Sequence, residues 1–154
     1  MDKSKPILVT GATGYIASWI IERLLNQGYS VHATVRDPSK KNKIQHLYDL
    51  ADKSSGQIQF YQADLLEPNS FDEAMQGCEV VIHTASPFVV TNYKDAVKDI
   101  IEPAVKGTEN VLDSVNRTES VKRVVLTSSI ASTYGDAIEI QNTTNNEFDE
   151  SHWN

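Results

Sequence analysis

The chain has 154 residues, 40% of them hydrophobic, and 14 Lys+Arg against 21 Asp+Glu give it a formal net charge of −7. That size and composition fit one folded domain with its own core and exclude a disordered chain or a disulfide scaffold. The acidic balance lacks the Lys/Arg footprint that nucleic acid demands, and no apolar run nears the roughly 20 residues of a membrane helix. Met1 is followed by no apolar signal stretch, and Cys78 is the one cysteine, so the expected location is the cytoplasm.

In chain order, the run Ile7 to Thr10, ended by Gly11, predicts a buried strand. Ile16, Ile20, Ile21, Leu24 and Leu25 then recur at helical spacing, with Gly28 as the C′ stop. Ser30 to Val35 predicts a second strand that ends in the turn Arg36-Asp37-Pro38. A second helix is spaced by Ile44, Leu47, Tyr48 and Ala51 and closed by Ser54-Ser55-Gly56. Gln57 to Gln62 reads as the third strand, followed by Asp64. A short helix begins at Asn69 or Ser70 and stops by Gly77, with Glu73 completing a capping box with Ser70.

Val80 to His83 is the fourth strand. Pro103 breaks the helical stretch after Tyr93 and opens the main helix, in which Ala104, Gly107, Thr108, Val111, Leu112 and Val115 share a face. Val121 to Thr127 is the fifth strand, and from Ala131 the chain turns polar and Asn-rich, as a loop does. Five strands alternate with helices, and their apolar runs read as buried on both faces. The fold class is α/β, a doubly wound parallel sheet in one domain spanning residues 1–154, with no internal repeat.

Thr10-Gly11-Ala12-Thr13-Gly14-Tyr15-Ile16-Ala17 lies between the first strand and the first helix. Two glycines there let the backbone approach a diphosphate at a helix N-terminus, the Rossmann arrangement; the plainer alternative is a tight turn without a ligand. Ala17 takes the place of the third glycine, whose task is helix-to-strand packing. Arg36 ends the second strand, where dinucleotide folds use an acid for the ribose 2′-OH or a cation for a 2′-phosphate, and Lys43 adds charge from the next helix. Alternatively the two belong to a solvated basic patch with Lys40 and Lys41, and Asp37 keeps NAD open beside NADP. His83-Thr84-Ala85-Ser86-Pro87 and Thr127-Ser128-Ser129 end the fourth and fifth strands. These features share the carboxyl edge of the sheet, where open α/β folds bind ligands. The histidines show no metal-ligand spacing, and a Gly-x-Ser-x-Gly nucleophile elbow is absent.

The pieces VTGATGYIA (9 to 17), ATVRDP (33 to 38), ADLLEPNSFDEAMQGC (63 to 78), HTASPF (83 to 88), PAVKGTENVL (103 to 112), RVVLTSS (123 to 129) and FDESHW (148 to 153) follow one another in order. Together they resemble the extended short-chain dehydrogenases/reductases of the NAD-dependent epimerase/dehydratase family. Within it the likeness is to the branch of dihydroflavonol reductases, cinnamoyl-CoA reductases and yeast-type aldehyde/ketone reductases. The resemblance implies an NAD(P)-binding Rossmann fold with strand order 3-2-1-4-5 and an NADP-dependent reductase of aldehydes, ketones or related carbonyls. It assigns Gly11, Thr13, Gly14, Tyr15 and Ile16 to the diphosphate loop, and Arg36 and Lys43 to the 2′-phosphate. Asp64 and Leu65 fall beside adenine, and Thr84, Ala85 and Ser86 along the cofactor ribose. Ser129 is matched to the serine that hydrogen-bonds the substrate carbonyl, with Ser128 as the alternative register.

The family's chemistry also uses a Tyr with a Lys four residues later. The residues four after the six tyrosines of this chain are Trp19, Ala33, Asp52, Leu65, Val97 and Ile138, none of them Lys. The expectation is therefore the cofactor-binding part of a longer reductase, lacking the catalytic Tyr-Lys helix, the sixth strand and the substrate lobe. The fifth strand is then expected to be an unprotected edge that invites self-association. A catalytically inactive dinucleotide sensor and an NAD-dependent epimerase or dehydratase are the alternatives. The expected partner is a small carbonyl compound, neither nucleic acid nor membrane, with homo-oligomer formation open.

Overall fold

The structure is a computed structural model that describes residues 2–87 and 93–153. Phe88, the last residue of the HTASPF piece, lies outside the described residues. The elements run β1 (Ile7–Val9), α1 (Tyr15–Asn26), β2 (Ser30–Val35), α2 (Lys41–Asp52), β3 (Gln57–Gln62), α3 (Asp72–Met75), β4 (Val80–His83), α4 (Glu102–Arg117) and β5 (Arg123–Leu126). All strand pairs are parallel, in the order β3-β2-β1-β4-β5 expected from the sequence. This is a Rossmann-type sheet.

Successive side chains of a strand point to opposite faces, so the three residues of β1 serve two cores. Ile7 and Val9 join Val31, Ala33 and Val35 of β2 against Ile21 and Leu25 of α1 and Ile44 and Leu47 of α2. Leu8 and Val81 face the other way, against Phe71, Ala74, Met75 and Val111, contributed by the α3 region and α4. Complete burial of each Val, Leu, Ile, Phe or Met among them contributes roughly 1.5–3 kcal/mol, which is why the central strands hold the layers together.

Burial on both faces does not extend to the sheet's edges. In β3 no residue is fully buried, and in β5 Val125 is 47% and Leu126 52% exposed. An apolar run records hydrophobicity, whereas burial depends on where the strand lies in the sheet. β5 pairs with β4 alone among the described strands, over Arg123 to Leu126 rather than 121 to 127, because β4 offers only Val80 to His83 as partners. An unprotected β5 edge matches the expectation.

The inward face of α1 is Ala17, Ile21, Leu24 and Leu25, and Ile16 is exposed instead of joining it. Gly28 takes the expected C′ position, with φ 79°. The Ser70/Glu73 capping box does not form. α3 starts at Asp72 with Phe71 as its N-cap and no side-chain cap, because the Ser70 hydroxyl is bonded to Asp64: it donates to the carbonyl at 2.7 Å and accepts from the N–H at 3.2 Å.

Pro103 opens α4 at its second position but breaks nothing before it. A π-helical turn, Val97–Ile101, runs straight into the helix, whose first turn tolerates a residue without an N–H. The inward face of α4 is Gly107, Val111 and Ser114, while Leu112 is 41% exposed. After β5 the expected loop contains short 3₁₀ turns at Ile130–Ser132, Ala137–Asn142 and Thr144–Asn146. Among the described residues no helix is long and apolar enough to cross a membrane.

Candidate functional site

The loops after β1, β2, β3 and β4 enclose one groove of about 570 Å³ at the carboxyl edge of the sheet. Gly11, Thr13 and Gly14 line it from the first loop, Arg36 from the end of β2, and Asp64 and Leu65 from the loop after β3. Thr84, Ala85 and Ser86 line it from beyond β4. Residues spread from Gly11 to Pro87 thus meet in one place.

The first loop is shaped by backbone bonds. The Ala12 N–H reaches Thr34 O at 3.0 Å, and the Gly14 N–H closes onto Gly11 O at 2.8 Å. Gly11 sits at φ 67°, and a Cβ there would lie 3.0 Å from Ala85 Cβ, so the first and fourth loops touch at a position only glycine fills without strain. α1 then begins at Tyr15 with Gly14 as N-cap and no side-chain cap bond. The N–H groups of a helix's first turn lack intrahelical partners and carry the positive end of its dipole. Left uncapped beside a glycine turn, they suit a diphosphate, so the residues present fit a dinucleotide.

A second recess of about 320 Å³ adjoins the end of β2, lined by Thr13, Val35, Arg36, Asp37, Lys40 and Lys43. Its one acid is committed locally. Asp37 accepts from the Ser39 hydroxyl at 2.6 Å and the Ser39 N–H at 3.0 Å and pairs with Lys40 at 3.3 Å. Those bonds, with the Ser39 hydroxyl foremost, hold its carboxyl below the ordinary carboxylate range. Arg36 and Lys43 are exposed and form no ion pair among the described residues. The recess therefore presents two unpaired cations, the donor set for a phosphate.

The loop after β3 is held by a residue the sequence did not single out. The Asn110 side-chain amide of α4 donates to Leu65 O at 3.1 Å and Glu67 O at 2.6 Å, and its oxygen accepts the Asn69 N–H at 3.1 Å. Asp64 caps the same loop by accepting the Leu66 N–H at 2.9 Å. Behind the groove, Thr10 and His83, both buried, join β1 to β4. Partners 41 to 74 positions apart leave no local pattern in the sequence.

Three of the candidate residues lie elsewhere. Tyr15 and Ile16, 81% and 53% exposed, line a separate recess with Trp19 on the outer side of α1, so only their backbone is available to the diphosphate turn. Ser129 is exposed, and its hydroxyl accepts the Ala131 N–H at 3.2 Å as the N-cap of a 3₁₀ turn. Ser128 lies 3.2 Å from the Ser132 hydroxyl. Neither serine is among the residues lining the groove.

Residues 7–153 match the NAD dependent epimerase/dehydratase family. A cinnamoyl-CoA reductase, CAD2, of Medicago truncatula is 53% identical over 125 residues, which cover 81% of this chain and 38% of that protein. A dihydroflavonol 4-reductase of Gerbera hybrida is 40% identical over 99% of this chain and 40% of its own length. Among solved structures, the yeast methylglyoxal/isovaleraldehyde reductase Gre2 complexed with NADPH superposes with a TM-score of 0.76 at 31% identity, over 97% of this chain and 44% of that one. Vestitone reductase from alfalfa gives a TM-score of 0.73 at 32% identity, over 97% and 42%. The chain thus spans about two fifths of the length of the relatives it matches.

Proposed function

Because the chain belongs to the NAD dependent epimerase/dehydratase family, we propose that it is the dinucleotide-binding part of an oxidoreductase that prefers NADP(H) and acts on an aldehyde, ketone or related carbonyl. The observation that carries this reading is the adjacency of the two recesses. An uncapped helix N-terminus opens one, and the unpaired Arg36 and Lys43 line the other. Solved relatives that carry NADPH, among them Gre2 from yeast and from Candida albicans, support it. The names of the plant relatives, reductases of cinnamoyl-CoA and dihydroflavonol, support the carbonyl chemistry.

In this reading the first-turn N–H groups of α1 bind the diphosphate, with Gly11 and Gly14 keeping side chains out of its way. Arg36 and Lys43 grip the 2′-phosphate, while Asp37, already bonded to Ser39 and Lys40, offers the ribose 2′-OH no free carboxylate. Asp64 and Leu65 border the adenine, and Thr84, Ala85 and Ser86 run along the ribose. When bound, the nicotinamide supplies the hydride. The Ser129 hydroxyl donates a hydrogen bond to the carbonyl oxygen, which it can do while still accepting the Ala131 N–H.

Titration of the chain with NADPH and NADH is the test. A charge-assisted contact of about 1.5–3 kcal/mol gives NADPH roughly a tenfold to hundredfold preference. Equal affinities, or unchanged discrimination in Arg36→Ala, would refute the assignment. A positioned proton donor contributes about 10²–10⁴-fold to such reductions, and none of the six tyrosines has a Lys four residues on. The purified 154-residue chain is therefore expected to bind cofactor without turnover. Steady NADPH oxidation with any simple carbonyl would overturn that and direct attention to Tyr134.

A further inference from the structure

Behind the groove, the last residue before the glycine turn makes an unusual set of contacts. The Thr10 hydroxyl oxygen accepts the N–H groups of Thr84 and Ala85, each at 3.1 Å, and lies 2.7 Å from His83 Nδ1. A hydroxyl has two lone pairs and one proton. With both lone pairs taken by backbone N–H groups, the proton must point along the third contact, so His83 Nδ1 is an acceptor. His83 is therefore a neutral ring with its proton on Nε2. Its setting agrees, since Thr10 is 0% and His83 2% exposed. Burial lowers the His83 pKa below its ordinary value by disfavouring the charged ring.

The same two segments are joined twice more. The Thr84 hydroxyl donates to Thr10 O at 2.6 Å, and the Thr10 N–H reaches Ile82 O at 3.0 Å. Gly11 comes next in the chain and touches Ala85, so the spacing set at Thr10 is passed directly to two walls of the groove.

We propose that Thr10 and His83 are positioning residues for the dinucleotide: the Nε2-protonated imidazole aims the Thr10 hydroxyl, which holds the Thr84–Ala85 backbone at a set distance from the Gly11 turn. This rests on the reading of the groove as a dinucleotide site. Neither side chain touches the ligand. Their effect is on the width of the groove, through a hydroxyl that would satisfy only part of its neighbours if the imidazole did not fix its direction.

The test uses the 154-residue chain, with NADPH as the probe and folding of each variant checked by circular dichroism. Thr10→Val keeps the shape but strands two part-buried N–H groups and the imidazole nitrogen, and is expected to bind NADPH about tenfold more weakly. Thr10→Ser restores the hydroxyl and is expected within about threefold of the unmodified chain. His83→Asn retains an acceptor near the Nδ1 position and is expected to bind more tightly than His83→Phe. A role confined to stability would lower the melting temperature of the valine variant while leaving the affinity of its folded fraction unchanged.

Nitrogen-15 NMR of the unmodified chain reads the tautomer directly, even if Thr10→Val fails to fold. A proton on Nε2 of His83 is expected, and a proton on Nδ1 would overturn the proposal. Unmodified chain that binds NADPH alongside a folded Thr10→Val that binds it equally well would refute the positioning role alone. Unmodified chain that binds neither NADPH nor NADH would refute the dinucleotide reading, and the positioning role with it.

Discussion

Replacing Asn110 by alanine removes three hydrogen bonds that tie α4 to the loop after β3: two donated by the side-chain amide to Leu65 O and Glu67 O, and one accepted from the Asn69 N–H. Each is worth about 0.5–1.5 kcal/mol net, so the upper limit is roughly 4.5 kcal/mol. The Glu67 and Asn69 contacts are exposed and water can replace them, which lowers the expected cost to about 2 kcal/mol. For a chain of this size that shifts the melting temperature by about 4–8 °C. The loop also carries Asp64 and Leu65 into the groove, so NADPH affinity is expected to fall with stability. Asn110→Asp keeps an acceptor for the Asn69 N–H but turns a carboxylate oxygen toward two carbonyls, and is expected to be at least as destabilised as the alanine variant. Urea unfolding followed by circular dichroism, with an NADPH titration of each variant, measures both effects. An alanine variant within about 0.5 kcal/mol of the unmodified chain, or an aspartate variant more stable than alanine, would refute the reasoning.

Arg117 grips Asp72 through both carboxylate oxygens, at 3.1 and 2.7 Å, and this holds the Asp72 carboxyl below its ordinary 3.8. A depressed folded-state pKa means that the stabilisation is complete above the unfolded value and is lost as pH falls through the folded one. Asp72→Asn is expected to cost about 0.5–1 kcal/mol near pH 7, the modest value for a partly exposed pair, and almost nothing near pH 2; an equal cost at both would contradict the pairing. Cys78 is fully buried, and burial pushes its thiol up to about 12. Its labelling by a thiol reagent near pH 8 should therefore track unfolding, and a fast burst from the native protein would contradict the packing of the second core. The exposed β5 is expected to drive self-association visible by sedimentation velocity, with Val125→Lys reducing it. A chain that sediments as a monomer at high concentration would remove the edge strand as a contact surface.

The bounds of β2 and β3 were legible because local chemistry punctuates them. Gly28 ends α1 just before Ser30, Arg36-Asp37-Pro38 ends β2, and Gly56 precedes Gln57. The strand-turn-helix context of Gly11 and Gly14 was legible for the same reason, since backbone conformation and helix starts depend on near neighbours. The alternation of strands and helices pointed to a parallel sheet and to the convergence of Gly11, Arg36, Asp64 and Thr84 on its carboxyl edge, while the order β3-β2-β1-β4-β5 was anticipated from the family resemblance.

What a side chain touches was a different matter. Ser70 had Glu73 in reach by spacing, yet bonded Asp64. Tyr15 and Ile16 belonged to the right turn, but helical rotation carried their side chains to the outer side of α1. The apolar run of β5 predicted burial on both faces, and its exposure follows instead from its place at the sheet's edge, which the family resemblance implied and its own residues did not. Asn110 and the Thr10–His83 contact were silent in the sequence because their partners lie 41 to 73 positions away. Short-range sterics and periodicity place the elements, but the direction of a polar side chain is settled by whichever donor or acceptor the assembled sheet and helices bring within 3 Å or so, and that neighbour exists only once the chain has folded.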